Sequence, residues 1–298
     1  MPAVAVYNLH KSYAGKPAVQ DLSFTLDPGE ILGLIGPNGA GKTTTIRMMM
    51  DIIQPDSGRV TIFGQPPSEA IKAKLGYLPE ERGLYKKLTV IETLAYLASL
   101  KGMDARSIQA RADALLEQTG MLPHKKKRIE ELSKGMAQII QLIVTIIHDP
   151  DVVVLDEPFA GLDPVNTERV KQLLVDLRDQ GKAVILSTHQ MNQVEAVCDR
   201  ILMVHNGRSV LYGALEAIRS EHRGHSVLVE ADGDIGPVPG VAKMLKHKDH
   251  TELVLDAAST PQQVLKELVN AGIPMDRFEV ATPSLNEIFL QVVGGNHE

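Results

Sequence analysis

The sequence predicts an α/β fold built on a parallel sheet. Three segments are short, apolar and without polar alternation, as expected for strands buried on both faces: 30–35, 151–155 and 183–186. Helical patterns occupy the chain between and after them, several followed by glycine, at 43–51, 90–101, 107–120, 134–148, 166–180 and 192–199. Strands that alternate with helices are typical of a parallel sheet covered by helices.

The helix expected at 134–148 differs from the others because apolar side chains surround it. They occupy almost its whole circumference, from Met136 to Ile147. A surface helix, by contrast, is apolar along one stripe only. We therefore expect this helix to be buried inside the first domain.

A second, smaller domain is expected after the polar segment 221–225, which is typical of a linker. A helix is expected at 261–270, and strand patterns lie at 226–231, 241–247, 252–255 and 276–281. This order predicts a small α+β sandwich, with domains at 1–220 and 225–298. Near its end, apolar residues at helical spacing should be buried against the domain's own sheet or a neighbouring subunit: Leu285, Ile288, Phe289 and Val292.

The composition excludes several classes of protein. Hydrophobic residues make up 44% of the 298 residues and charged residues 23%, which suits a globular protein with a sizeable core. A net charge of −6 with 4% aromatic residues makes nucleic acid an unexpected partner. The single cysteine, Cys198, excludes an intrachain disulfide and a multi-thiolate metal site. Neither a signal peptide nor a membrane span is expected, since the most apolar stretch, 139–147, is short and interrupted.

A glycine-rich segment follows the first predicted strand and opens the first predicted helix. It matches the phosphate-binding P-loop, with Gly36, Pro37, Asn38, Gly39, Ala40, Gly41, Lys42, Thr43 and Thr44. Glycines let backbone N–H groups turn towards phosphates, and the helix N-terminus adds partial positive charge. Lys42 is expected to reach the outer phosphates, and the Thr43 hydroxyl to ligate Mg²⁺. The pattern favours nucleotide binding over a glycine-rich turn without a ligand.

Two carboxylates and an imidazole follow the other two predicted strands. Asp156 and Glu157 end one strand, and His189 follows the next. Parallel strands that bind a ligand do so at their carboxyl ends, so these side chains should converge beside the P-loop. Asp156 is expected to hold Mg²⁺, and Glu157 to orient or deprotonate the attacking water. The structural alternatives are an acidic pair at a strand end and a histidine without a catalytic role.

Further motifs, taken with the P-loop, indicate a family. The chain resembles an ATP-binding cassette (ABC) ATPase. The segment 132–136 resembles the family's signature, in which Ser133 and Gly135 would contact nucleotide. The segment 160–163 resembles the D-loop, which contributes Asp163, and His189 resembles the switch histidine. Tyr13 stands where the family places an aromatic ring that stacks on adenine. The motifs span residues 1 to about 215, and the resemblance implies antiparallel β and helical subdomains around the parallel core.

Two positions depart from the family pattern. Glu80 replaces the usual Gln of the Q-loop, where it would still approach Mg²⁺ or water but adds negative charge near the γ-phosphate. In the signature, Lys134 and Met136 replace the commoner Gly and Gln. Both departures are similar to those in the drug-efflux and sodium-extrusion branch. The tail at 283–290 resembles the end of that branch's accessory domain.

The resemblance implies an ATPase that uses ATP and Mg²⁺ and powers a separate membrane permease. Two cassettes would bind two ATP molecules head to tail, so this chain is expected to form a homodimer or to pair with a homologue. It would be cytoplasmic and lie on the inner face of the membrane through the permease. The leading interpretation is an exporter subunit. The alternatives are a regulatory or mechanotransmitting ATPase acting on a membrane partner, and an ABC protein of translation or DNA repair, whose usual extra motifs are missing.

Two other features have simpler interpretations. The basic run at 124–128 is typical of a solvated face, with a lipid headgroup or permease contact as the alternative. Two histidine pairs at i, i+3 spacing, 222/225 and 247/250, lie in polar segments without a convincing acidic ligand set. A metal site is therefore not expected there.

Overall fold

The computed structural model describes residues 1–80, 83–222, 225–231 and 235–294. Parts of the predicted Q-loop segment, linker and second domain lie outside the described residues, namely 81–82, 223–224, 232–234 and 295–298. The chain divides into two compact units, Met1–Leu215 and Glu216–Glu298. This division places 216–220 in the second unit, whereas the sequence prediction places it in the first.

The first unit contains nine named strands and seven α-helices within its described residues. In chain order, the strands are β1 Val4–Tyr13, β2 Lys16–Leu26, β3 Ile31–Ile35, β4 Ser57–Ile62, β5 Leu75–Leu78, β6 Val152–Asp156, β7 Ala183–Thr188, β8 Arg200–His205 and β9 Arg208–Ala214. The helices are α1 Lys42–Met49, α2 Glu69–Lys72, α3 Val90–Leu100, α4 Ala105–Gln118, α5 Lys134–Ile146, α6 Pro164–Asp179 and α7 Met191–Val197.

Six of these strands form the central sheet, in the order β5-β6-β7-β3-β8-β9. All neighbouring pairs are parallel except β8 and β9, which are antiparallel. The register pairs Ile35 with Thr188 and Asp156 with Ser187. The carboxyl ends of β3, β6 and β7 therefore meet at one edge. The predicted parallel sheet is confirmed.

A second sheet of β2, β1 and β4 is antiparallel throughout. Its buried side chains join those of α1 and of the central sheet in one apolar cluster, including Leu22, Ile46, Val154 and Ile185. Burial of this apolar surface is the main favourable contribution to folding. Ala40 belongs to the same cluster, which therefore anchors the loop that precedes α1.

The helices α3, α4 and α5 are each capped by a side chain at the N-terminus. Thr89 and Glu92 form a capping box at α3, Asp104 caps α4 and Ser133 caps α5. These caps satisfy backbone N–H groups that have no partner within the helix. As predicted, α5 is buried around most of its circumference, with Ile139, Ile140, Leu142, Ile143 and Ile146 at most 1% exposed.

The close approach of α5 to the edge strand β5 leaves no room for a side chain at Gly76. A Cβ there would lie 2.4 Å from the Thr145 carbonyl oxygen. We expect Gly76→Ala to lower the free energy of unfolding by about 1–3 kcal/mol, because backbone must move to relieve the clash. Urea denaturation measures this change. Gly83→Ala is the matched control, since no atom lies within 4 Å of a Cβ at Gly83; equal stability of the two variants would contradict the expectation.

The second unit is an antiparallel sheet with helices. Its elements are α8 Leu215–Glu221, which begins at the last residue of the first unit, β10 Ser226–Ala231, β11 Val241–Lys246, β12 Thr251–Leu255, α9 Pro261–Asn270, β13 Met275–Val280 and α10 Leu285–Gly294. The strand order is β11-β12-β10-β13. Val264 and Leu268 of α9 share a core with Val227 and Leu253 of the sheet. The predicted α+β unit is confirmed.

Two of the apolar positions predicted near the chain end are fully buried in a single copy of the chain. Leu285 and Ile288 of α10 are both 0% exposed. A neighbouring subunit is therefore not needed to cover them. Across the described ranges, no helix combines the length and the apolar character that crossing a bilayer requires.

Candidate functional site

The P-loop connects the end of β3 to the N-terminus of α1. Its first glycine, Gly36, lies so close to β8 that a Cβ would be 2.1 Å from the Val204 carbonyl oxygen. Gly41 caps α1 in a left-handed conformation with φ 108°. The Ala40 N–H donates to the Pro37 carbonyl oxygen at 3.2 Å. Only glycine fits at positions 36 and 41, and the resulting turn leaves the first N–H groups of α1 available to an anion.

Lys42 is the buried cation of the loop, with 6% of its surface exposed. Its Nζ donates to the carbonyl oxygens of Gly36 at 2.8 Å and Pro37 at 3.2 Å. Burial lowers the pKa of Lys42 below its ordinary value, while the carboxylates of Glu157 and Asp156 oppose this shift. The charged side chain is thus held against the inner surface of the loop.

A cavity of about 320 Å³ lies over the P-loop and the end of β6. Ten residues line it: Ala18, Asn38, Gly39, Gly41, Lys42, Thr43, Thr44, Glu80, Asp156 and Glu157. Nine of them belong to the site predicted from the sequence, and Ala18 of β2 does not. The structure therefore brings the predicted phosphate, metal and water-activating residues to one cavity.

Asp156 is almost completely buried at the carboxyl end of β6, with 1% exposure. Its Oδ1 accepts a hydrogen bond from the Ser187 hydroxyl. Its Oδ2 is buried and has no hydrogen-bond partner among the described residues. A buried carboxylate oxygen without a donor is costly unless a cation or water satisfies it. Asp156 therefore suits a hard metal ion such as Mg²⁺.

Glu157 has a backbone conformation that is uncommon for a residue with a side chain. Its φ is 51°, in the left-handed region, which costs of the order of 1–3 kcal/mol. Its Oε2 accepts from the Thr188 hydroxyl at 3.1 Å, and its Oε1 accepts from the His189 backbone N–H at 3.2 Å. The backbone turn and these donors aim the carboxylate into the cavity rather than along the sheet.

His189 contacts the same carboxylate through its ring. Its Nδ1 lies 2.9 Å from Glu157 Oε1, while about half of the side chain, 51%, is exposed. In the Nδ1-protonated tautomer the ring donates this hydrogen bond and keeps Nε2 free as an acceptor. The structure thus brings Glu157 and His189 together across the ends of β6 and β7.

Sequence reasoning did not assign roles to Ser187 and Thr188, which orient the two acidic side chains. Both hydroxyl residues end β7 and are fully buried. Their position in the sequence could have indicated this role. They end the strand next to β6, and the register pairs Asp156 with Ser187. Their hydroxyl groups donate hydrogen bonds to the two carboxylates and so hold them in position.

Tyr13 lies at the end of β1 outside the cavity lining, and its side chain is 49% exposed. Lys11 Nζ lies 5.8 Å from the centre of its ring. An exposed ring with one face contacted by a cation leaves the other face available for stacking.

The signature and D-loop residues also lie outside the cavity lining. Ser133 is exposed and accepts from the Met136 N–H at 3.2 Å. Asp163 caps α6 by accepting from the Asn166 N–H at 3.0 Å, and this bond lowers the pKa of Asp163. A Cβ at Gly135 would lie 3.3 Å from the Gly161 carbonyl oxygen, so the two motifs adjoin each other. The site residues therefore form two groups.

Comparison with known proteins supplies the family. A family model described as ABC transporter matches residues 19–160. The uncharacterized ABC transporter ATP-binding protein YhaQ of Bacillus subtilis is 35% identical over 298 residues, which is 99% of this chain and 100% of YhaQ. This chain belongs to the ABC transporter ATP-binding proteins. It is an ATPase of the family that hydrolyses ATP to drive transport.

Two further matches extend along this ABC protein. A model described as ATP-binding protein DrrA1-3-like, C-terminal domain, matches residues 213–293, which confirms the predicted branch with its accessory domain. The Nod factor export ATP-binding protein I of Rhizobium etli is 34% identical, over 100% of this chain and 95% of that protein. A solved structure of an ATP binding subunit of an ABC transporter has a TM-score of 0.69 and 31% identity, over 74% of this chain and 92% of that one.

Proposed function

We propose that this chain is the ATPase subunit of an exporter and that two copies form the complete hydrolytic sites. The observation that carries this proposal is the division of the site residues. Lys42, Asp156 and Glu157 converge at one cavity, whereas Ser133 and Asp163 lie outside its lining. A second cassette placed head to tail brings its signature to the cavity of the first.

The P-loop binds the phosphates of ATP in this proposal. Backbone N–H groups between Gly36 and Thr44, apart from Pro37, which has none, surround the phosphate oxygens with the side chains of Asn38 and Thr44. Lys42 exchanges its carbonyl partners for the outer phosphates, where a charge-assisted bond is stronger. The exposed ring of Tyr13 stacks on adenine.

Three oxygen-bearing side chains suit Mg²⁺. The unpartnered Oδ2 of Asp156 is the strongest of these indications, and Thr43 and Glu80 line the same cavity. Mg²⁺ prefers oxygen ligands and keeps several waters. When bound, it would neutralise charge on the phosphates.

Glu157 acts on the attacking water. Its carboxylate is aimed into the cavity, where it orients the water and accepts its proton. Thr188 and His189 keep the carboxylate in place, and Nε2 of the half-exposed His189 ring would contact a phosphate or water. Water thus reaches the γ-phosphate beside a base whose direction is already fixed.

The second copy supplies Ser133, Gly135 and the N-terminus of α5. These groups offer a hydroxyl, a backbone N–H and a helix dipole to the γ-phosphate. Asp163 lies beside them and contacts the opposite copy. ATP therefore joins the two copies, and its hydrolysis separates them.

Export through a separate membrane permease is supported by the full-length similarity to a protein named for Nod factor export. In this proposal the chain lies on the inner face of the membrane, held there by the permease. The second unit, from about residue 216, acts as an accessory domain that stabilises or regulates the dimer. Co-purification of a multi-span partner, followed by ATP-dependent flux in vesicles, tests the function. A partner that stimulates turnover without any flux contradicts export.

The dimer is tested at Ser133. Ser133→Glu places a carboxylate against the γ-phosphate of the opposite site, and we expect ATP-dependent dimerisation to weaken more than about tenfold because like charges oppose each other. Analytical ultracentrifugation with ATP, in a Glu157→Gln background that retains ATP, measures it. Thr89→Glu is the control, since it also replaces an N-cap hydroxyl by a carboxylate, at α3 instead of α5. Unchanged dimerisation in Ser133→Glu removes the signature from the interface.

A further inference from the structure

Two segments of the helical region pair through their backbones and form a ribbon. The Ile129 N–H donates to the Leu88 carbonyl oxygen at 2.9 Å, and the Val90 N–H donates to that of Lys127 at 2.9 Å. The pairing brings together residues 85–90 and 124–130, which we call the cationic ribbon. It comprises the basic run of the sequence and two further lysines that precede α3.

The ribbon presents five exposed cationic side chains: Lys86, Lys87, Lys126, Lys127 and Arg128. Arg128 lies 3.9 Å from Glu130, and the half-buried Lys125 pairs with Asp113 at 2.5 Å. None of the four exposed lysines forms an ion pair with a carboxylate in the part of the chain that the structure describes. The chain as a whole carries a net charge of −6. The ribbon is therefore a positively charged patch on a chain whose net charge is negative.

Exposed aromatic and apolar side chains continue from the ribbon onto α3. Tyr85 is 52% exposed and begins the ribbon, and Tyr96 of α3 is 44% exposed. The two rings meet edge to face with centres 5.5 Å apart. Leu100, one turn beyond Tyr96, is 67% exposed. Lysines beside tyrosines suit a surface where charged headgroups border hydrocarbon.

We propose that the cationic ribbon binds the anionic phosphate headgroups of a lipid bilayer. Lysine carries a strongly hydrated point charge on a flexible side chain. Such a charge suits a layer of many mobile phosphates better than a binding partner of fixed geometry. Clusters of basic residues near a membrane gain affinity from its negative surface potential. An ABC transporter subunit works beside a membrane, so such a surface is within reach. The proposal rests on the family and not on any residue of the ATP cavity.

The test is binding of the full chain to vesicles without permease or nucleotide. Vesicles of phosphatidylcholine containing about one third phosphatidylglycerol should bind the chain, and phosphatidylcholine alone should not. Each lysine near such a surface contributes about fivefold, so Lys126→Gln/Lys127→Gln should weaken binding by about 30-fold at low salt. Binding should also fall as salt rises.

A matched pair of lysines elsewhere in the chain shows whether binding belongs to the ribbon. Lys243→Gln/Lys248→Gln removes two exposed lysines of the second unit and should change binding by less than about twofold, within normal surface variation. Both double variants should keep wild-type ATP affinity, so that a failure here is distinct from a failure at the cavity. Three results would each overturn the proposal. Both double variants could lose binding equally, the chain could bind phosphatidylcholine alone as well as the anionic vesicles, or a short RNA could bind the same lysines equally tightly.

Discussion

Replacing Glu157 with glutamine should lower ATP turnover by about 10²- to 10⁴-fold, because the amide cannot accept a proton from water. The amide oxygen can keep the hydrogen bond from Thr188 at 3.1 Å, but the NH2 group then faces the His189 N–H, so thermal unfolding should accompany the assay. ATP should remain bound, since the P-loop is unchanged. Phosphate release measures turnover, and calorimetry measures affinity.

The control for this change is Glu168→Gln. Glu168 lies on α6 and pairs with Lys171 at the surface, at 2.8 Å. Its loss should leave turnover near that of the wild type, because exposed ion pairs contribute little. If Glu157→Gln keeps turnover within about twofold of the wild type, far inside the range of a general base, Glu157 does not activate water.

Replacing Lys42 with alanine should weaken ATP binding itself by about 10- to 100-fold, the range for losing a hydrogen bond to a charged group. The reason is the buried position of the ammonium group, which lies against the carbonyl oxygens of Gly36 and Pro37 inside the P-loop. Burial keeps solvent from replacing the lost charge. Calorimetry with ATP in the presence of Mg²⁺ measures the effect.

Lys171→Ala is the matched control, because it removes a lysine of the same unit that lies outside the cavity lining. The Lys42 variant also loses its bonds to Gly36 and Pro37, so thermal unfolding should accompany the titration. A folded Lys42→Ala protein with unchanged ATP affinity would contradict the phosphate role.

The parallel sheet was predictable because its strands are apolar at every position. Each of β3, β6 and β7 lies between two other strands and is buried on both faces. Its sequence is therefore a continuous apolar run, such as 152–155. The antiparallel sheet was predicted only through the family resemblance. Its first strand has irregular register between Val6 and Leu9, and Asn8 has a left-handed φ of 47°. A bulge of this kind breaks the period-two alternation by which strands are detected.

The candidate site shows a similar division. Motif spacing was sufficient to predict nine of the ten residues that line the cavity, since the P-loop and the strand ends are local features. The hydroxyl donors at 187 and 188 depend on register between strands that are distant in sequence. The left-handed turn at Glu157 depends on the same packing, because a glutamate has no local preference for it.

Among the residues that the structure describes, β11 and β13 are the edge strands of the sheet in the second unit. Both carry exposed charges, with Lys243 and Lys246 on one and Asp276, Arg277 and Glu279 on the other. Charged side chains on an edge strand oppose the addition of another strand. The unit is thereby protected against extending its sheet from molecule to molecule. In the proposed pair of subunits, where two copies of the unit would be held at high local concentration, this protection would favour reversible assembly over aggregation.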